Sequence, residues 1–334
     1  MGDRAVAPPR TGVDDAAPVA VVVVSWNCAA FLVGCLESVG GLERSPREVV
    51  VVDNASTDGS AEALERWAAA APAPRPLVIR SDRNRGYAGG NNLGLTQLAG
   101  DPAITHVLLL NNDATAEPAL FAELIGALQR RPDAGLMGVT IFEGEGRERV
   151  WYAGGHLPNA RAVTIHSTVV PEVEGPLPTE FVTGCALLIA RRVWEAIGPL
   201  PESYFLYFED SEYSLRAAQA GFPVLYTPRA VLHHACGGTV RRLVPEPRKE
   251  FWYARARALF VRRNRHGIAF WRTLAYLAVA RPARALIELL RGRPRYAWAG
   301  FRGTVAGLLA IEIDRHVGAP AAAQRGSDRV VVHE

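Results

Sequence analysis

The segment Phe205-Leu-Tyr-Phe-Glu-Asp-Ser-Glu-Tyr-Ser-Leu-Arg216 sets adjacent carboxylates, Glu209 and Asp210, directly behind an aromatic run, with Glu212 close by. Partly buried carboxylates must be paired, protonated or set on a cation, so such a cluster points to chemistry that uses them. Asp210, with Glu209 beside it, is the candidate general base, a carboxylate able to take a proton from a hydroxyl nucleophile. The competing reading makes Glu209 and Glu212 solvated acids at a helix start, favoured by its dipole. The neighbouring Tyr204, Phe205, Tyr207 and Phe208 argue for a partly buried setting instead.

Two further acids follow apolar runs. Asp53 closes Val49–Val52 and is followed by Asn54, Ser56, Thr57 and Asp58, acceptors that could take the ring N–H of a pyrimidine base. The alternative is an Asx-turn capping the next helix. Asn111-Asn112-Asp113 closes Val107–Leu110, and Asp113 is the candidate ligand for a hard divalent cation at a diphosphate. Its alternative is a turn aspartate. His233-His234 follow a short strand and precede Ala-Cys-Gly-Gly, where a neutral imidazole could complete a metal shell; the spacing does not settle which of the two does. Asn84-Arg-Gly-Tyr-Ala-Gly-Gly-Asn-Asn-Leu-Gly94 combines glycines, which permit close backbone approach, with a helix expected to start near Asn91 and offer free N–H groups. It is neither a GxGxxG fingerprint nor a Walker loop, and a tight strand–helix turn explains it equally.

These residues need strand ends to hold them. Val19–Val24 and Val49–Val52 are continuous β-branched runs, suited to strands covered on both faces. Leu77–Ile79 and Val107–Leu110 read as further strands, with helical spacing over 31–39, 61–67 and 118–130. Strand–helix alternation predicts an α/β domain with a mainly parallel sheet, whose ligands bind beyond the carboxyl ends of the strands. Ser25-Trp26-Asn27, Asp53 and Asn111–Asp113 all fall there. Residues 151–180 are Pro/Gly-rich, with room for short antiparallel strands and a mobile loop; 224–226 and 230–232 read as two short strands.

About half of the 334 residues are apolar, which excludes wholesale disorder. Cys28, Cys35, Cys185 and Cys236 have no zinc-ribbon or disulfide spacing and read as reduced thiols on a cytosolic face. Residues 1–17 read as a disordered lead-in without a signal peptide. No run reaches the roughly 20 apolar residues needed to span a bilayer; Ile268–Leu290 is broken by Arg272, Arg281 and Arg284. Between Arg241 and Arg302 stand fifteen arginines and Lys249 against three glutamates. Residues 241–315 are therefore expected as an Arg-rich amphipathic helical region, with 316–334 a flexible tail. Nucleic acid is the rival partner for such a load; interleaved aromatics favour an anionic membrane surface.

Taken together, Val23-Val-Ser-Trp-Asn27, Val51-Val-Asp-Asn-Ala-Ser-Thr-Asp-Gly59, the 84–92 stretch, Leu109-Leu-Asn-Asn-Asp113, Thr183-Gly-Cys-Ala-Leu-Leu-Ile189, Tyr207-Phe-Glu-Asp-Ser-Glu-Tyr213 and Val231-Leu-His-His234 resemble the family 2 inverting glycosyltransferases, of the rhamnosyltransferase and galactofuranosyltransferase type. The matches run in order across about 19–240. The resemblance implies a GT-A domain over 18–240, a dTDP- or UDP-sugar donor and Mg²⁺ or Mn²⁺. It also implies a hydroxyl acceptor on a lipid-linked or envelope glycan, carried for instance on a polyprenyl diphosphate, and a place on the inner face of the cell membrane. By position it assigns Asp53 to the base, with Ser25, Asn27, Asn84, Gly86, Gly90, Asn91 and Asn112 around the nucleotide. Asp113 and one of His233 and His234 would hold the metal, and Asp210 would be the general base. Asn111 departs from the family's two-aspartate pattern, and no QxxRW stretch marks a processive synthase. A non-catalytic sugar-nucleotide-binding subunit is the contrasting class. A nucleotidyltransferase is disfavoured because Ser25-Trp-Asn-Cys28 replaces the expected Gly-rich basic loop.

Overall fold

The apolar runs become strands because each is covered on both faces. The computed structural model describes residues 18–71, 76–144, 146–157, 161–235, 244–310 and 329–331. In it β1 (Val19–Ser25), α1 (Ala29–Gly40), β2 (Val49–Asp53), α2 (Ser60–Ala70), β3 (Leu77–Arg80), α3 (Gly86–Leu98) and β4 (His106–Asn111) alternate. β1 pairs parallel with both β2 and β4, and β2 with β3. Val19, Val21 and Val23 share a layer with Leu32 and Leu64 from α1 and α2, whereas Ala20 and Val22 share the opposite layer with Leu95 and Leu98 of α3. Two-sided burial is why β1 shows no polar alternation.

The register aligns Ser25 with Asp53 and Val24 with Asn111, so the polar strand ends share one edge. The chain steps outward from β1 to β3, then returns to place β4 on the other flank of β1. The β1–β4 border is therefore a topological switch point, where open α/β sheets bind their ligands.

Beyond β4 the sheet continues with strands of both directions, β5 (Ala114–Ala116), β6 (Leu136–Glu143), β7 (Val150–Tyr152), β10 (Leu177–Pro178) and β11 (Ala186–Ala190), with α4 (Leu120–Arg130) between β5 and β6, while β8 (Gly155–His156) and β9 (Ile165–His166) pair as a separate two-stranded sheet. β11 lies antiparallel between β4 and β6. α5 (Arg191–Ile197) and α6 (Glu209–Gln219) lead to β12 (Val224–His234), which is parallel to β6. The two short strands expected at 224–226 and 230–232 are one strand with an irregularity after Thr227, where Thr140 donates to the Pro228 carbonyl at 2.8 Å.

The arginine-rich region resolves into unlike helices, α7 (Glu246–Asn264), α8 (Gly267–Leu290) and α9 (Pro294–Leu308). α7 is a core element: Trp252, Leu259 and Phe260 are buried, and so are Arg255 and Arg257. α9 lies so close to α7 that a Cβ on Gly303 or Gly307 would strike the carbonyl oxygens of Phe251 or Arg255. Only α8 is largely exposed. β13 (Arg329–Val331) pairs antiparallel with β3, so these residues of the expected flexible tail extend the sheet instead. The lead-in 1–17, the rest of the tail from 316 and Cys236 lie outside the described residues.

Candidate active site

On the β1–β2 side, the polar residues at the strand ends are wired to one another. The turn after β1 places Asn27 at φ +49°, and its Oδ1 accepts the Thr57 amide at 2.7 Å. In return the Asn27 amide donates to Ser56 Oγ at 3.0 Å. Asn54 is the hub. Its amide donates to the Ser25 carbonyl at 2.7 Å, its Nδ2 to the Gly86 carbonyl and Asn84 Oδ1, and its Oδ1 accepts the Arg85 amide. Asp53 is buried, accepts the Ser56 amide at 3.3 Å, and its pKa is raised chiefly by that burial. Ser25 is buried, with Asn112 Nδ2 at 3.4 Å from its hydroxyl.

The Asn84–Gly94 stretch departs from expectation. α3 begins at Gly86 rather than near Asn91, so Asn91 and Asn92 are buried in its middle. Asn91 Nδ2 donates to the Tyr87 carbonyl, and Asn92 exchanges bonds with the Leu200 backbone. The Gly86 and Tyr87 amides, at the start of the helix, are taken by Asn84 Oδ1 and the Phe205 carbonyl. Gly86, at φ +72°, would bring a Cβ onto that same carbonyl, and a Cβ on Gly90 would stand 2.6 Å from Val24 Cγ1. These glycines serve close packing of α3 on β1 and on the 205 segment.

Across the switch point, β5 and β12 bring Asp113 to the histidines. Antiparallel pairing sets His234 opposite Ala114 and His233 opposite Thr115. Successive side chains on a strand face opposite ways, so the two separate. His234 Nε2 lies 3.1 Å from Asp113 Oδ1, both side chains buried; His233 Nε2 lies 3.0 Å from Glu117 Oε1 on the other face. Two ligands at neighbouring corners of an octahedral cation, each at about 2.1 Å, stand about 3 Å apart, the spacing of Asp113 and His234; His233 stands at a similar distance from Glu117, but on the face away from Asp113. An imidazole ligand suits Mn²⁺ better than Mg²⁺. Among the described residues no cluster of three His, Cys, Asp or Glu could hold a cation alone, so a cation here needs further oxygens from diphosphate or water.

The acidic turn reaches the same edge through β11. Because β11 is antiparallel to β4, the chain entering it lies beside the β4 carboxyl end, and the Asn111 amide donates to the Cys185 carbonyl. The Gly184 amide then donates to Asp210 Oδ2 at 2.9 Å, and Ser211 supplies its amide and hydroxyl to Oδ1. Glu209 is deeper, and its Oε2 has no partner. Burial raises both carboxyls, Glu209 well above its ordinary range with help from the Asp210 charge. Asp210 has amide and hydroxyl donors that favour its charged form, whereas Glu209 Oε2 has none.

Tyr207 and Phe208, at φ +70° and +68°, precede α6 in the left-handed region. Each such residue costs on the order of 1–3 kcal/mol, so packing must hold the turn. α7 supplies it. The Tyr253 ring packs edge-on to Tyr207 and tilted against Phe208, and Phe260 packs tilted against Phe208, all with ring centres within 5.7 Å. Arg263 grips Glu212 through Nε and Nη2, with Nη2–Oε1 at 2.8 Å, and Tyr204 and Asn264 complete the cage. Glu212 is thus a tie between α6 and α7.

Two contributors escaped the sequence reading, α7 and the pair Trp151–His166, and Asn54, read there only as an acceptor beside Asp53, is the hub of the frame. The Trp151 ring meets His234 at 4.9 Å and His166 at 4.5 Å, while His166 Nδ1 lies 3.0 Å from the Trp151 carbonyl oxygen. Burial lowers the His166 pKa, with Asp210 acting in the opposite direction. These residues come from the Pro/Gly-rich middle, which lacks a contiguous motif.

The model of glycosyl transferase family 2 matches residues 20–197. An N-acetylglucosaminyl-diphospho-decaprenol L-rhamnosyltransferase of Mycobacterium tuberculosis is 28% identical over 245 residues, 66% of this chain and 77% of that one. A mannosyltransferase from Pyrobaculum calidifontis, solved with GDP-Man and Mn²⁺, superposes with a TM-score of 0.55 at 18% identity, covering 88% of each chain. TarS 1–349 of S. aureus, solved with UDP-GlcNAc, gives 0.52 at 15% identity, covering 84% of this chain and 79% of that one. With the polar edge at the β1–β4 switch point, these matches fix the fold as GT-A and make the chain a glycosyltransferase of family 2.

Proposed function

We propose that this glycosyltransferase is inverting and moves rhamnose or another hexose from a dTDP- or UDP-sugar to a hydroxyl of a lipid-linked or cell-envelope glycan. The observation that carries the reading is Asp210, a half-buried carboxylate held by the Gly184 and Ser211 amides on the edge shared with Asp113 and His234. Asp210 takes the proton of the acceptor hydroxyl as that oxygen bonds to the anomeric carbon. The bond from this carbon to the diphosphate oxygen breaks on the opposite face, the nucleoside diphosphate leaves, and configuration inverts. Asp53 receives the pyrimidine N–H, within the frame built by Ser25, Asn27, Asn54 and Asn84. Asp113 and His234 would hold a divalent cation, Mn²⁺ before Mg²⁺, which when bound neutralises charge on the diphosphate. Trp151, beside His234, offers an aromatic face to the transferred or accepting sugar.

A polyprenyl-diphosphate-linked acceptor is supported by the decaprenol substrate in the name of the mycobacterial relative. With such an acceptor, the proposed location is peripheral, on the cytoplasmic face of the cell membrane; no helix among the described residues is long and apolar enough to cross one. The test is a thermal-shift screen of dTDP-, UDP- and GDP-sugars with and without Mn²⁺, followed by transfer assays on a polyprenyl-diphosphate-linked saccharide. A correct donor at 100 times its Kd stabilises by about 2.7 kcal/mol. If no sugar nucleotide stabilises the protein, the donor reading fails. Donor binding without hydrolysis or transfer would leave a non-catalytic binding subunit.

A further inference from the structure

Among the described residues, the exposed large apolar side chains are concentrated on two helices. On α8, Ile268, Trp271, Val279, Leu286 and Leu290 are between 57% and 80% exposed. Their spacing of three, eight, seven and four residues keeps them on one stripe of an α-helix. The buried residues of α8, Thr273, Leu277 and Glu288, fall on the opposite side. α9 repeats the arrangement: Trp298, Phe301 and Val305 are exposed while Ala297, Gly300, Gly303 and Thr304 face α7. A soluble helix normally turns such a stripe inward; here the inward face is already occupied by the protein, and the apolar stripe remains outside. Between Gly267 and Leu308 stand seven arginines and one glutamate, and that glutamate, Glu288, is itself paired with Arg291 and Arg293.

We infer that α8 and α9 form a monotopic docking surface for an anionic lipid bilayer, with the apolar stripes seated among the acyl chains and the flanking arginines on the headgroups. The inference deepens the proposed function, since it supplies access to a lipid-borne acceptor. Charge selects the occupant. Arg281 and Arg284 reach Glu250 of α7 and Arg291 and Arg293 hold Glu288, which leaves Arg272, Arg295 and Arg302 without an acidic partner among the described residues. A second copy of the chain would bring this excess of positive charge face to face, whereas an anionic leaflet attracts it. Aromatic residues on the stripes, Trp271, Trp298 and Phe301, suit the interface between headgroups and chains. α7 takes no part, because its aromatic side and Arg255 and Arg257 are committed to the core.

Deleting the helices is not an admissible test, as α7 holds the acidic turn. The test is co-flotation of the full chain, without donor or acceptor, on vesicles of phosphatidylcholine alone or with phosphatidylglycerol. Wild type should bind the phosphatidylglycerol vesicles at low salt, with affinity falling as salt rises. Trp271→Glu/Leu286→Glu and, separately, Trp298→Glu/Phe301→Glu, all at exposed positions, should each weaken binding about tenfold or more, with unchanged melting temperature and donor-induced thermal shift. Wild type that ignores these vesicles overturns the inference, as do variants that bind like wild type. Lipid-independent dimerisation abolished by the same variants would assign the stripes to a second copy instead. Donor binding, read in the same samples, tests the glycosyltransferase reading separately.

Discussion

The two sides of the switch point are built by different means. On the β1–β2 side, Asn54 donates to Asn84 and Asn27, Asn54 and Asn84 satisfy the adjoining backbone, and the segments joined are those flanking β1, β2 and β3. On the acidic side, Asp210 sits behind two left-handed residues, Glu209 Oε2 and His234 Nδ1 are buried without partners, and the turn is secured by a helix some 50 residues downstream. Buried polar atoms are normally paired. The first side is therefore a preformed frame, and the second holds strain and unmet hydrogen-bonding capacity where the proposed chemistry falls.

Asp210→Asn breaks the acidic side most directly. It should lower kcat by about 10²–10⁴-fold while donor Kd stays within about twofold. Burial raises the Asp210 pKa, so in wild type the acid limb of kcat/KM should lie above the ordinary value of 3.8, activity falling as the pH drops through it. The limb should vanish in the variant. A kcat within threefold of wild type would remove Asp210 from the base role. Asp113→Ala comes next. Donor affinity and the response to Mn²⁺ should fall together, by about 10–100-fold, as measured by titration with and without EDTA. Wild-type activity indifferent to EDTA would transfer the diphosphate to arginine side chains.

A crossed pair of variants sharpens the contrast. Arg263→Ala leaves Glu212 buried with weaker support. The guanidinium is 44% exposed, and solvent screening holds the loss to about 2 kcal/mol of stability. kcat should fall with donor Kd unchanged, because the affected turn carries Asp210. Asn54→Ala removes the hub of the other side and should cost about 1–2 kcal/mol, raising donor Kd with little change in kcat at saturation. Denaturant unfolding and steady-state kinetics on both variants decide the matter; equal effects on Kd and kcat in both would erase the division.

Glu209→Gln is expected to have the smallest effect and the most specific sign. The folded-state pKa of Glu209 is raised well above 4.5. The stability contributed by its proton is complete below the unfolded value and is lost as the pH rises through the raised one. A neutral glutamine removes that decline, so urea midpoints of variant and wild type should be close at pH 5, with the variant ahead by about 1 kcal/mol at pH 9. A difference that does not grow with pH would mean that Glu209 is not held neutral.

Much of the candidate site was legible because its members end apolar strands or sit in contiguous motifs. Asp53, Asp113 and Asp210 were visible on that ground, as was the α/β alternation. Which of His233 and His234 stands beside Asp113 was not, because it depends on which face of β12 meets β5, a matter of register between segments about 120 residues apart. Asn91 misled for a related reason: the helix starts five residues earlier, at Gly86, and the asparagine becomes an interior packing residue. Trp151 and His166 sit on strands of two or three residues, too short to show a period.

The arginine-rich region separates the two kinds of information most clearly. Composition alone established its charge imbalance and the presence of helices interleaved with aromatics. Only the tertiary structure decided that Arg255 and Arg257 are buried in α7, that Arg263 cages Glu212, and that the exposed apolar stripes belong to α8 and α9. The physical reason is that residue type and spacing fix which side chains share a helix face. Whether that face meets a core, a buried carboxylate or the outside depends on what packs against the opposite face, and in this chain those contacts come from segments far away in sequence.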